Sequence, residues 1–221
     1  MVPIPIDTVE FIEPSDWSRV DRELSHINRF DWVVLTSPRG ASLFASRMRG
    51  LGLGPGGHPR VAGVGKSTAD RLAQEGFKVG FVPSEYTTAA LGRELPLSLG
   101  SRLLLLRADI AGEEMVTILE GRGFSVTSVP IYHTRFVGGR YAGRSAGSAR
   151  AVILGSPSEV EGLERRLAPT LSRRLKSEAL AMCIGPVTAK AAKAAGYERI
   201  VTAKLHTFDA LLMEVSRSVV R

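Results

Sequence analysis

Short apolar runs recur along the chain: Trp32–Ser37 (WVVLTS), Arg60–Gly65 (RVAGVG), Lys78–Pro83 (KVGFVP), Arg102–Arg107 (RLLLLR), Phe124–Tyr132 (FSVTSVPIY), Ala149–Ser156 (ARAVILGS) and Ala179–Gly185 (ALAMCIG). None alternates strictly between apolar and polar residues, which suits strands buried on both faces of a parallel sheet. Helical patterns lie between them. In STADRLAQEG, Ala69, Leu72 and Ala73 share a face, and Gly76 is placed to close the helix in a left-handed conformation. Alternating strands and helices predict an α/β fold with doubly wound parallel sheets.

The pattern repeats. A shift of 120 positions lays VGKSTADRLAQEGF, from Val64, on IGPVTAKAAKAAGY, from Ile184, with Gly65 on Gly185, Thr68 on Thr188, Ala69 on Ala189 and Gly76 on Gly196. The same shift continues to Thr87 on Thr207, Ala90 on Ala210 and Leu91 on Leu211. A shift of 119 sets Ser37 and Pro38 on Ser156 and Pro157. Order and spacing together predict an internal duplication and two similar α/β lobes.

The stretch Val64–Ser67 ends like a nucleotide-binding P-loop, but Arg60 occupies the place of the first glycine, where backbone freedom is required. The repeat supplies a different reading. The second copy has Pro186 at the position of Lys66, so the loop does not require the lysine, whereas the glycine and the threonine occur in both. A strand ending in Val/Ile-Gly before a helix beginning with Thr-Ala leaves helix-start N–H groups and a hydroxyl facing outward, a setting that attracts anions. Thr68 and Thr188 as simple helix caps are the alternative.

Composition narrows the function. The 221 residues carry a formal charge of +7 and are 44% hydrophobic, which excludes a disordered chain and points to an anionic partner. The basic residues are scattered, apart from Arg165–Lys176, which reads as solvated surface, and no aromatic residues interleave with them as in a base-stacking platform. Nucleic acid is therefore not the expected partner. Cys183 is the only cysteine, so neither an internal disulfide nor a multi-thiolate zinc site is available, and its apolar surroundings indicate a buried thiol. The N-terminus has no signal-peptide pattern and no apolar run approaches the ~18 residues of a membrane span, so the expectation is a cytoplasmic chain without membrane contact. His26, His58, His133 and His206 show no metal or triad spacing and read as surface or loop residues.

Strand-end loops rich in Ser, Thr, glycine amides and basic side chains predict a shared cleft for a ligand bearing several carboxylates or phosphates. In their order, VLTSPRGA (from Val34), the block Val64–Leu95, SVPIYHT (Ser128–Thr134), ILGSPSEV (Ile153–Val160) and the ending from Ala181 through Thr207 to Val215 resemble the uroporphyrinogen-III synthases. The resemblance covers nearly the whole chain. It implies two α/β lobes joined by two extended linkers, residues 1–11 and 129–136, enclosing a lobe at 12–128 and followed by a second lobe at 137–221. Members of that family usually begin with a strand and helix before the first crossing. This chain shows no counterpart, so the expectation is that the true start lies upstream, that the chain is truncated, or that the second lobe is rearranged or borrows a strand from another chain; otherwise a monomer is expected.

The resemblance further implies a cyclising lyase without metal or organic cofactor. Its substrate is hydroxymethylbilane, an octacarboxylate linear tetrapyrrole, and transient contact with hydroxymethylbilane synthase is implied with it. The carboxylates would be held by Thr36, Ser37, Arg39, Gly65, Lys66, Ser67, Thr68, Ser84, Thr87, Arg107, Ser156, Ser158, Gly185, Thr188 and Thr207, and Tyr132 would assist departure of the terminal hydroxyl. Arg107 facing a helix terminus, and Tyr132 packed in a β linker, are the structural alternatives. A non-catalytic two-lobed binding protein for an anionic metabolite fits the same cleft and charge.

Overall fold

The structure, a computed structural model, describes residues 2–57, 59–141, 144–204 and 208–219. The strands are β1 (Val9–Ile12), β2 (Trp32–Leu35), β3 (Arg60–Gly63), β4 (Val79–Phe81), β5 (Arg102–Ala108), β6 (Ser125–Phe136), β7 (Ala151–Leu154), β8 (Leu180–Cys183) and β9 (Arg199–Thr202). The helices are α1 (Ser18–Ser25), α2 (Pro38–Gly50), α3 (Lys66–Gln74), α4 (Thr88–Glu94), α5 (Glu114–Gly121), α6 (Pro157–Arg166), α7 (Pro169–Glu178), α8 (Pro186–Ala195) and α9 (Phe208–Val219). All seven sequence-predicted runs contain a strand.

The chain forms two compact units, Phe11–Thr134 and Met1–Glu10 with Arg135–Arg221. Strands β1 and β6 carry the chain from one to the other. The second crossing is thus one continuous strand, and its residues 129–134 belong to the first unit, paired with β5 as far as Tyr132, where the sequence reading had a separate linker.

Unit Phe11–Thr134 is built on a six-stranded sheet ordered β1-β6-β5-β2-β3-β4. The pairings β2·β3, β2·β5, β3·β4 and β5·β6 are parallel. Alternate residues of each run serve opposite faces: Val33, Leu35, Leu104 and Leu106 pack with Phe44, Met48 and Leu72, while Trp32, Val34, Leu103 and Leu105 pack with Leu91, Leu95, Met115 and Leu119. Both faces are covered, which is the physical reason for the unbroken apolar runs. Burying each such side chain is worth roughly 1.5–3 kcal/mol.

The other unit has a three-stranded parallel sheet, β7-β8-β9. Leu154, Ala181, Cys183, Val160, Leu163 and Leu175 fill one face; Met182, Leu211 and Val215 share the other. The elements follow the repeat, since β2-α2, β3-α3 and β4-α4 recur in order as β7-α6, β8-α8 and β9-α9. The left-handed glycines Gly76 (φ +90°) and Gly196 (φ +97°) recur as well. One pairing does not recur: among the described residues no strand lies on the far side of β7, where β5 flanks β2. Ile153 is 41% exposed, although its counterpart Val34 is fully buried.

Candidate active site

Parallel strands deliver their C-terminal ends to helix starts. In unit Phe11–Thr134, β2 leads through Thr36 and Ser37 into α2. Ser37 adopts extended backbone, its Oγ accepts the Gly40 N–H at 3.0 Å, and Pro38 fills the first helical position, whose N–H would be unbonded anyway. The same Oγ lies 3.1 Å from the hydroxyl of Tyr132, which reaches it from β6. Tyr132 is buried, with the Phe11 ring edge-on at 5.6 Å. The exposed Arg39 guanidinium lies 4.9 Å from the centre of that Phe11 ring. Gly40 permits this close approach, because a Cβ there would stand 3.2 Å from Ser37 Oγ and 3.8 Å from the tyrosine ring.

Strand β3 ends at Gly63, and Gly65 is the N-cap of α3. Arg60 sits inside the strand, its guanidinium over the Trp32 ring at 4.5 Å, which removes the last element of a P-loop. Tyr86 packs over Gly65, where a Cβ would meet Tyr86 Cβ at 3.2 Å. Lys66 and Ser67 are exposed at the first turn, beside helix N–H groups that have no intrahelical acceptor. Lys66 Nζ donates to Asp70 at 2.6 Å, and that carboxylate raises the lysine pKa.

Several predicted ligands are placed differently. Thr68 and Thr188 are neither caps nor outward-facing: both are buried, and Gly65 and Gly185 hold the cap positions. Thr68 packs on Gly63, where a Cβ would stand tightly at 3.3 Å from Thr68 and 3.1 Å from the Ala69 nitrogen. Ser84 gives both its N–H and its hydroxyl to Glu94, each at 2.7 Å, and these bonds lower the Glu94 pKa. Thr87 caps α4, its Oγ1 accepting the Ala90 N–H at 3.1 Å. Arg107 is 8% exposed; it donates to the carbonyls of Ala111 and Gly112 and to the Glu113 carboxylate, bracing the loop before α5.

The Arg135–Arg221 unit has its own helix starts. Ser156 caps α6, accepting the Glu159 N–H at 3.2 Å, and its hydroxyl lies 3.0 Å from that of Ser158. Glu159 turns back to accept the Gly155 N–H at 2.7 Å, so this helix start already holds a carboxylate. Gly185 opens α8 as Gly65 opens α3. Thr207 lies outside the described residues.

Sequence reasoning missed one pair. His133 Nδ1 is 3.0 Å from Asp109 Oδ2, and Asp109 also accepts the N–H groups of Thr134 and Ile110. Burial works to raise the Asp109 pKa, but the bonds from Thr134 and His133 outweigh it and the net direction is down. Asp109 directly follows β5 and His133 lies on β6, 24 residues on, so no local spacing announces them; pairing of β5 with β6 brings them together.

The site can bind anions at helix starts, and through Ser37 and Tyr132 it can hold or pass a proton at a buried phenol. Among the described residues no group of three His, Cys, Asp or Glu is placed to hold a metal ion. No helix is long and apolar enough to cross a membrane.

The family model described as uroporphyrinogen-III synthase HemD matches residues 1–213. A uroporphyrinogen-III synthase of Synechococcus elongatus is 32% identical over 135 residues, which is 60% of this chain and 51% of the relative. The porphyrin biosynthesis protein HemD of Ruminiclostridium josui is 26% identical over 223 residues, 95% of this chain and 42% of the relative. The chain thus spans about half the length of these curated relatives. A solved uroporphyrinogen III synthase variant from Thermus thermophilus superposes with a TM-score of 0.69 at 18% identity, covering 96% of this chain and 86% of the other, a likeness of fold.

Proposed function

Since the chain belongs to the uroporphyrinogen-III synthase family, we propose that it cyclises hydroxymethylbilane to uroporphyrinogen III, with loss of water and inversion of the last pyrrole ring. The observation that carries this reading is the Ser37–Tyr132 pair at the start of α2, a phenol in hydrogen-bond contact with a helix cap at a cationic, donor-rich strand end. Tyr132 protonates the terminal hydroxyl, which leaves as water. The resulting azafulvenium-type cation is attacked by the last ring at its already substituted carbon, giving a spiro intermediate that fragments and recloses. The pyrroles drive these steps, so the protein's larger contribution is to hold the chain folded for ring inversion. Ser37, Arg39, Lys66 and Ser67, with the first amides of α2 and α3, bind substrate carboxylates.

The test is to supply freshly generated hydroxymethylbilane, oxidise the products and separate the type I and type III isomers. Predominantly type III product is expected. Type I alone, as in a protein-free control, overturns the proposal, and tight binding without turnover would favour a non-catalytic binding protein.

A further inference from the structure

The Arg135–Arg221 unit carries a second cationic feature, at the end of its sheet opposite the helix starts. The register sets Ala151, Leu180 and Arg199 side by side at the N-terminal ends of β7, β8 and β9, whereas Ser156 and Gly185 follow the C-terminal ends of β7 and β8. A cavity of about 190 Å³ opens there between the turn at residues 147–150, α7 and the strand starts. Its walls bring together Arg150, Arg174 and Arg199 around a single carboxylate, Glu178.

That carboxylate is already engaged by Arg174 Nε at 2.9 Å, while Arg199 Nη1 donates to the carbonyl of Glu178 at 3.0 Å. Arg199 is therefore oriented by a neutral acceptor and keeps its charge uncompensated. Among the described residues neither Arg150 nor Arg199 is ion-paired with a carboxylate. The corresponding corner of the other unit mixes the charges, with Arg60 and Arg102 opening β3 and β5 beside Asp31. Asp31, which the repeat aligns with Arg150, accepts the Arg102 N–H at 2.8 Å beside the β2·β5 pairing. Only there does a carboxylate, Asp31, stand at the place that Arg150 holds here.

Guanidinium groups present paired N–H donors in a rigid fork that matches oxyanions, and they stay charged at every physiological pH. The cavity has room for about six waters at ~30 Å³ each. That accommodates a compact polyanion. We infer that this cavity binds a small, multiply charged phosphate, because two guanidinium forks without a carboxylate partner, Arg150 and Arg199, beside a third engaged by Glu178, need a ligand with oxygens on several sides, which a single carboxylate lacks.

The experiment is a calorimetric titration of the full chain with pyrophosphate at low ionic strength, beside thermal melts with and without it. Binding and a raised Tm are expected. Arg150→Ala and Arg199→Ala should each weaken binding at least about tenfold, and Arg150→Ala should leave the ligand-free Tm unchanged, because its side chain is exposed and makes no ion pair among the described residues. Arg150→Lys, which keeps the charge without the fork, should fall between. Arg165→Ala, on α6 outside the cavity, should bind as the parent does. Absence of binding and of a Tm shift at millimolar pyrophosphate overturns the inference, as does equal weakening by Arg165→Ala; tighter binding of citrate than of pyrophosphate overturns the phosphate assignment.

Discussion

The starts of α2 and α6 are the same device used in two ways. Each has an extended serine cap, Ser37 or Ser156, and each has proline at the first helical position. The third helical residue separates them. In α6 it is Glu159, whose carboxylate bonds the Gly155 N–H and fills the positive end of the helix from within. In α2 it is Gly40, and the space a side chain would take is bordered by Ser37 and Tyr132. One start is closed by a carboxylate of its own chain; the other has no carboxylate at that position, which is what the proposed substrate site requires.

The comparison breaks most directly at Tyr132. Tyr132→Phe should lower kcat for type III product by about 100-fold or more, the contribution expected of a positioned acid. A variant with the parental rate would reduce the start of α2 to a second structural cap.

Next in size is a packing difference. Gly162 of α6 lies against Thr8, and a Cβ there would stand 2.6 Å from the Thr8 carbonyl oxygen, whereas the repeat places Leu43 at the matching position of α2. Gly162→Ala should cost about 1–3 kcal/mol in a denaturant melt; an unchanged midpoint would show that the Thr8 segment gives way. The paired cap variants sharpen the comparison further. Ser37→Ala and Ser156→Ala should each cost about 1 kcal/mol of stability, but only Ser37→Ala should also raise KM, and equal kinetic effects would erase the distinction between the two starts.

A last effect, invisible at neutral pH, is set by pH. Burial pushes the Cys183 thiol from 9.0 up to about 11. Between those values the unfolded chain holds fewer protons than the folded one, so stability should decline from pH 9 toward 11, and Cys183→Ser should flatten that slope. Asp109 acts in the acid range. Its pKa is lowered from 3.8, so its contribution is complete above that value and is lost as the pH falls through the lower folded value; Asp109→Asn should remove this acid sensitivity.

Much of the fold was legible because burial on both faces of a parallel sheet writes itself as unbroken apolar runs, and because the repeat marks three of the strand-to-helix turns twice. The runs around Val33, Leu104 and Ala181 announce strands, and Gly76 and Gly196 announce helix ends, through local chemistry alone. Local chemistry also makes Ser37 and Ser156 caps. Direction and occupancy were decided only by the tertiary structure. Thr68 turns inward because Gly63 leaves space beneath the first turn of α3, Thr188 is buried likewise although Cys183 stands where the repeat has Gly63, and Ser84 and Arg107 are claimed by Glu94 and by the loop before α5. Tyr132 meets Ser37 from 95 residues away, and His133 meets Asp109 only because β6 pairs with β5. A sequence determines what each segment prefers to become; which polar group finds a partner depends on distances that exist only once the strands have paired.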